Sequence, residues 1–136
     1  MNTHVLKTAA TPDATIRPWT ARSLLFVPGD SARKLEKALS GDADLIILDL
    51  EDSVAESAKP AAREHVAGAL AEQGERAKPL WVRINPIDTA HALTDLVAIV
   101  KHRPDGIMLP KATPDETRLL GHYLTALEAA AGVEAE

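Results

Sequence analysis

The residues best suited to chemistry lie just past short apolar runs. Asp49, Glu51 and Asp52 follow Leu45-Ile46-Ile47-Leu48, Arg83 stands between Val82 and Ile84, Lys111 follows Met108-Leu109-Pro110, and Asp30 follows Val27-Pro28-Gly29. Carboxylates are hard oxygen donors and suit Mg²⁺ better than zinc. Side chains alternate along an extended segment, so Asp49 and Glu51 are expected to face one way and Asp52 the other, without forming one chelate by themselves. A role through metal-bound water fits this spacing as well as direct coordination does. An arginine inside an apolar strand needs an anionic partner. That partner is either a neighbouring acid, which makes Arg83 structural, or a substrate carboxylate or oxyanion, which makes it functional.

Pro28-Gly29 runs into the start of a helix, where free amides attract anions. Arg33 and Lys37, four residues apart, put two positive charges on one face of that helix. Taken alone, the pair reads as a solvated face, and without a Gly-Lys-Ser/Thr ending the loop is not a Walker loop. The five histidines, His4, His65, His91, His102 and His122, have no paired metal-ligand spacing. Trp19, Trp81 and Tyr123 read as packing residues.

The elements that position these groups alternate in type. Short apolar runs at Ser23–Val27, Leu45–Leu48, Leu80–Ile84 and Gly106–Leu109 are separated by segments of helical period, the βαβα pattern of a parallel sheet covered by helices. The spacing predicts a first helix from about Ser31 with Leu35, Ala38 and Leu39 inward. A second is predicted from Lys59 to Gln73, with Pro60 in its first turn and Ala62, Val66, Ala69 and Leu70 on one stripe. Leu93, Leu96, Val97 and Val100 mark a third. Thr113-Pro114-Asp115-Glu116 announces a fourth by cap, first-turn proline and acid, followed by Leu120, Tyr123, Leu124 and Leu127.

Composition narrows the class. The chain has 136 residues, a formal charge of −5 and 46% apolar residues, which suits one small globular domain and gives no electrostatic reason to bind nucleic acid or anionic lipid. The absence of cysteine removes disulfides, zinc–thiolate sites and thiol nucleophiles, and fits a reducing, cytoplasmic compartment. No apolar run is long enough to span a membrane. Residues 1–20 lack period and contain Thr11-Pro12 and Arg17-Pro18, so a flexible tail is expected there, with the fold in residues 21–136.

Two architectures satisfy this pattern: an open four-stranded α/β domain, or the N-terminal half of a (β/α)8 TIM barrel, since eight units need about 250 residues. In either, ligands gather at the carboxyl ends of the strands, where Asp49, Glu51, Asp52, Arg83 and Lys111 converge. An open receiver-like signalling domain also sets acids and a lysine there. It would want an acidic pair after the first strand, where this chain has Pro28-Gly29-Asp30.

Four motifs in order resemble the citrate lyase beta-subunit and HpcH/HpaI aldolase family, which includes malyl-CoA and citramalyl-CoA lyases. They are Arg22-Ser-Leu-Leu-Phe-Val-Pro-Gly29, Leu48-Asp-Leu-Glu-Asp-Ser-Val-Ala55, Val82-Arg-Ile-Asn85 and Met108-Leu-Pro-Lys111. The resemblance implies a (β/α)8 barrel of which this chain carries the N-terminal four units, a cytoplasmic homo-oligomer that makes or breaks a carbon–carbon bond next to a CoA thioester with Mg²⁺. It implies that Arg83 binds the substrate carboxylate or thioester oxygen and stabilises a developing enolate. Asp52, with Glu51 beside it, stands near the metal and its waters. Phe26, Arg33 and Lys37 match positions that contact the CoA nucleotide in some members, with Arg33 in place of a lysine, and Lys111 joins the substrate-binding set. The direct metal ligands of the family end its fifth and sixth strands, beyond this sequence, and Glu134 and Glu136 do not stand in a matching context. Whether thioester hydrolysis follows bond cleavage is left open, as is a non-catalytic half-barrel subunit.

Overall fold

The computed structural model describes residues 20–72 and 76–133. The expected tail, except Thr20, lies outside the described residues, as do Trp19, Gln73, Glu134 and Glu136. Four strands, β1 (Leu24–Pro28), β2 (Leu45–Asp49), β3 (Leu80–Arg83) and β4 (Gly106–Met108), alternate with four helices. The helices are α1 (Ala32–Ser40), α2 (Lys59–Glu72), α3 (His91–Ile99) and α4 (Pro114–Ala131). Strand ends fall one residue short of the apolar runs at Ile84 and Leu109. The α4 start is as the sequence predicts: the Thr113 side chain accepts from the Glu116 amide while Glu116 accepts from the Thr113 amide, a capping box with Pro114 in the first turn.

All four strands are parallel and lie in the order β1-β2-β3-β4. Consecutive order with right-handed crossovers sends every helix to the same face, the winding of a barrel wall. A receiver-type sheet instead has the order 2-1-3-4-5, with its first strand inside. Here β1 is an edge, so the receiver reading is overturned by topology.

The two faces of the sheet differ. Val27, Leu48, Val82 and Ile107 stand in register and pack with Leu35 and Ala38 of α1, Ala62, Val66 and Leu70 of α2, Leu96 and Ile99 of α3, and Leu120 of α4. On the opposite face Phe26, Ile47, Trp81 and Gly106 form one level, with Pro28, Asp49, Arg83 and Met108 on the next toward the carboxyl ends. In a barrel this second face would form the inner wall, and Leu24 and Phe26 on it are exposed.

The α3 stripe requires correction. The helix exists, but it buries Ala92, Asp95, Leu96 and Ile99, followed by Val100, while Leu93 and Val97 are 50% and 59% exposed. The face is rotated because Asp95, although charged, is drawn inward by hydrogen bonds from Arg63 and Asn85.

Candidate active site at the carboxyl ends of the strands

Asp49 ends β2 and Arg83 ends β3, directly across the ladder. The Arg83 Nε and Nη2 donate to the two Asp49 carboxylate oxygens, both at 2.8 Å, a fork-to-fork pair. Asp49 also accepts from the Glu51 amide at 2.9 Å, the Ser53 amide at 3.0 Å and the Ser53 hydroxyl at 2.6 Å. Burial pushes its pKa up, but the bonds from Arg83, Ser53 and the two amides outweigh burial and hold the carboxyl well below the usual carboxylate range. The sequence left the partner of Arg83 open between neighbouring acid and ligand. The neighbouring acid is present. It occupies only one edge of the guanidinium, since five N–H groups are available and Asp49 takes two.

Glu51 completes the cluster. Its Oε2 stands 3.3 Å from Arg83 Nη1 and its Oε1 accepts from Lys111 Nζ at 3.0 Å. Lys111 has a left-handed backbone, φ 53°, uncommon without glycine and typical of constrained positions at sites. That bond to Glu51 raises the Lys111 pKa above its ordinary value. The Arg83 guanidinium also lies 4.6 Å from the centre of the Phe26 ring, a cation–π contact from the edge strand. Asp52 is exposed in the turn that follows β2, and its charge acts on both Arg83 and Lys111.

Beneath the rim runs a network that the sequence reading did not assign. The Lys59 ammonium, 7% exposed, donates to the Leu50 carbonyl at 2.8 Å, the Glu51 carbonyl at 3.0 Å and Asn85 Oδ1 at 2.9 Å. Asn85 Nδ2 donates to the Leu50 carbonyl and to Asp95, and Asp95 in turn accepts from Arg63 Nε at 2.6 Å. Arg63 Nη2 reaches His91 Nδ1, and His91 Nε2 meets Glu56. A signal existed in the sequence: Lys59 and Arg63 are one turn apart, and Asp95 shares a helical stripe with Ala92, Leu96 and Ile99.

Of the expected site residues, Arg83, Glu51, Lys111 and Phe26 come together, with Asp52 at their margin. Arg33 and Lys37 are exposed on α1, which starts beyond the carboxyl end of β1, and are not joined to the cluster. Gly29 fixes that start: its amide donates to the Asp49 carbonyl, and a Cβ there would stand 2.6 Å from the same oxygen. Among the described residues no group of three or more histidine or acidic side chains could hold a metal ion. Asp49 and Glu51 are committed to cations, so these residues do not form a magnesium site by themselves. No helix among them is long and apolar enough to cross a membrane.

Most of the chain is similar to known proteins. The citrate lyase subunit beta of Haemophilus influenzae is 38% identical over 115 residues, covering 84% of this chain and 40% of the relative. The L-malyl-CoA/beta-methylmalyl-CoA lyase of Rhodobacter capsulatus is 39% identical over 115 residues, covering 82% and 36% respectively. The solved structure of protein CitE from Mycobacterium tuberculosis, in complex with magnesium, acetoacetate and coenzyme A, superposes with a TM-score of 0.54. The identity there is 40%, with 68% of this chain and 33% of that chain covered. The chain thus spans about two-fifths of the length of the curated relatives it matches. Its α/β sheet is that of the TIM-barrel-type proteins it superposes on. The model of the HpcH/HpaI aldolase/citrate lyase family matches residues 22–135, and the chain belongs to that family.

Proposed function

We propose that these four βα units supply the substrate-orienting half of a cytoplasmic carbon–carbon lyase that acts on the CoA thioester of a hydroxy acid of the malyl, citramalyl or citryl type. The observation that carries this reading is Arg83, pinned along one edge by Asp49 and still holding N–H groups on the inner face of the sheet. In the cleavage, the substrate hydroxyl loses its proton and becomes a carbonyl as the carbon–carbon bond breaks. The bonding electron pair moves onto the thioester oxygen, and protonation of the resulting enolate carbon gives the acetyl thioester. Arg83 donates to the oxygen that gains charge, an electrostatic role that its fixed orientation favours. Glu51 and Lys111 keep the guanidinium aligned. Arg33 and Lys37 meet the phosphates of the CoA nucleotide, and Phe26 joins them in contacting that nucleotide. Mg²⁺ would be held by the complete barrel, where it would acidify the substrate hydroxyl, and Asp52 would serve its hydration shell. The exposed Leu93 and Val97 of α3 and Leu119 of α4 are apolar side chains through which that barrel self-associates into a homo-oligomer.

The test is to join these units to the other four of the barrel and follow acetyl-CoA release from malyl-CoA, citramalyl-CoA and citryl-CoA at saturating Mg²⁺. Cleavage of at least one is expected. No release from any of the three overturns the reading.

A further inference from the structure

We infer that Lys59 is a positioning residue for the rim: its buried ammonium sets the two peptide planes that aim Glu51 and Asp52. The inference rests on the lyase reading above. All three ammonium protons of Lys59 are used, and all go to neutral acceptors: the carbonyls of Leu50 and Glu51 and the amide oxygen of Asn85. A buried charge bonded only to neutral groups is a costly way to tie down a loop. A neutral donor would fill the same space at less expense. The two carbonyls belong to the peptide units that join residue 50 to 51 and 51 to 52. Fixing them directs the Glu51 side chain inward to Arg83 and Lys111 and turns Asp52 out to the rim.

Charge supplies the second argument. Asp49, Glu51 and Asp52 bring three negative charges to the rim, and Arg83 and Lys111 return two positive ones. Lys59, bonded to the carbonyls of Leu50 and Glu51 between those acids, is the third. Its charge is held in place by Asn85, which Asp95 orients through both its backbone amide and its side chain. Arg63 neutralises Asp95 at 2.6 Å. The ends of β2 and β3 are therefore tied by a polar bridge in which Asp95 is paired with Arg63 while the Lys59 charge is bonded to neutral oxygens.

The complete barrel with Lys59→Gln, which keeps two donors and loses the charge, separates positioning from simple support. We expect kcat to fall at least tenfold with CoA affinity unchanged within twofold, because α1 is untouched. Lys59→Arg, which keeps the charge, should recover part of the rate. Leu70→Ala, placed in the core away from the rim, is the control for lost stability. A kcat within twofold of the parent, or a fall equal to that of Leu70→Ala at matched melting temperature, overturns the inference. If Lys59→Gln fails to fold, Asn85→Ser decides in its place. It removes the third acceptor of Lys59, and unchanged kcat there is equally fatal. Arg83→Lys tells the two levels apart. Turnover lost in Arg83→Lys but kept in Lys59→Gln overturns only the role of Lys59, turnover kept in both overturns the roles of both residues, and a parent barrel that releases no acetyl-CoA overturns the lyase reading itself.

Discussion

The indole of Trp81 occupies the space that a side chain on Gly106 would need. The two residues face each other across the β3–β4 ladder, and a Cβ on Gly106 would stand 2.4 Å from the Trp81 Cε2. Glycine therefore opens an inner-wall level otherwise lined by Phe26, Ile47 and Trp81. Gly106→Ala is expected to destabilise the fold by about 1–3 kcal/mol, the range for overpacking a filled site. The buried Trp81 Nε1 has no hydrogen-bond partner, so Trp81→Phe, which also removes bulk, should cost little. Urea unfolding of both single variants and of the double variant checks this. The double variant should recover most of the loss.

Asp49 should govern stability in acid. Its folded pKa is held below the unfolded value of about 3.9, so its contribution is complete above that pH and is lost as pH falls through it toward the folded value. Asp49→Asn should cost roughly 3 kcal/mol at neutral pH, the lower end for breaking a buried pair, because the Arg83 side chain is 20% exposed. Below pH ~4 the variant's stability should vary less steeply than the parent's. Denaturant titrations at a series of pH values would show the two curves converging. Parallel curves would mean that Asp49 is not the titrating group.

Much of this arrangement could be read from residue order, and the exceptions have a common cause. The four βα units and the α4 cap follow from local periodicity and capping chemistry, which depend on neighbours in the chain. The rotation of α3 does not. Leu93 and Val97 look like core residues until Arg63 of α2 and Asn85 after β3 are placed against Asp95. Lys59 was concealed in the same way. A lysine at a helix start reads as solvated, and only the carbonyls of Leu50 and Glu51 across the turn reveal it as buried. Buried polar pairing is a property of what meets in space, so local pattern carries little of it.

Replacing Arg83 by lysine in the complete barrel should reduce turnover on the order of 10²–10³, the usual loss for one transition-state donor. An ammonium cannot hold Asp49 along one edge while donating along another. Thermal melting should change far less than rate. Normal turnover, or failure to fold, would make Arg83 structural.

Arg33→Glu with Lys37→Glu should weaken CoA binding about tenfold at low ionic strength, since two exposed phosphate contacts become repulsions. The dependence of affinity on salt should also flatten, because screening acts on those contacts. Calorimetric titration of the complete barrel with CoA at several salt concentrations gives both values. An unchanged slope would return the pair to the status of a solvated helix face.

A polypeptide of these 136 residues alone should show no lyase activity and should not remain a monomer. The outer edges of β1 and β4 are free of strand partners among the described residues. Along β1 the positions Leu24, Leu25 and Phe26 are apolar and 43–49% exposed, with only Pro28, at its end, to discourage pairing. Exposed edges of this kind template association unless charge, proline or a bulge blunts them. Phe26 on the inner wall adds an apolar surface that a closed barrel would cover. The chemistry fails for a separate reason: among the described residues the acids at the rim are bound to Arg83 and Lys111, and no cluster remains to hold a metal. Light scattering on the purified chain, followed by assay with the three CoA thioesters, tests both halves of the argument. Dimers or larger species without acetyl-CoA release are expected, whereas a monodisperse monomer that cleaves any of the three would show that the open edges and the missing ligand set had both been misjudged.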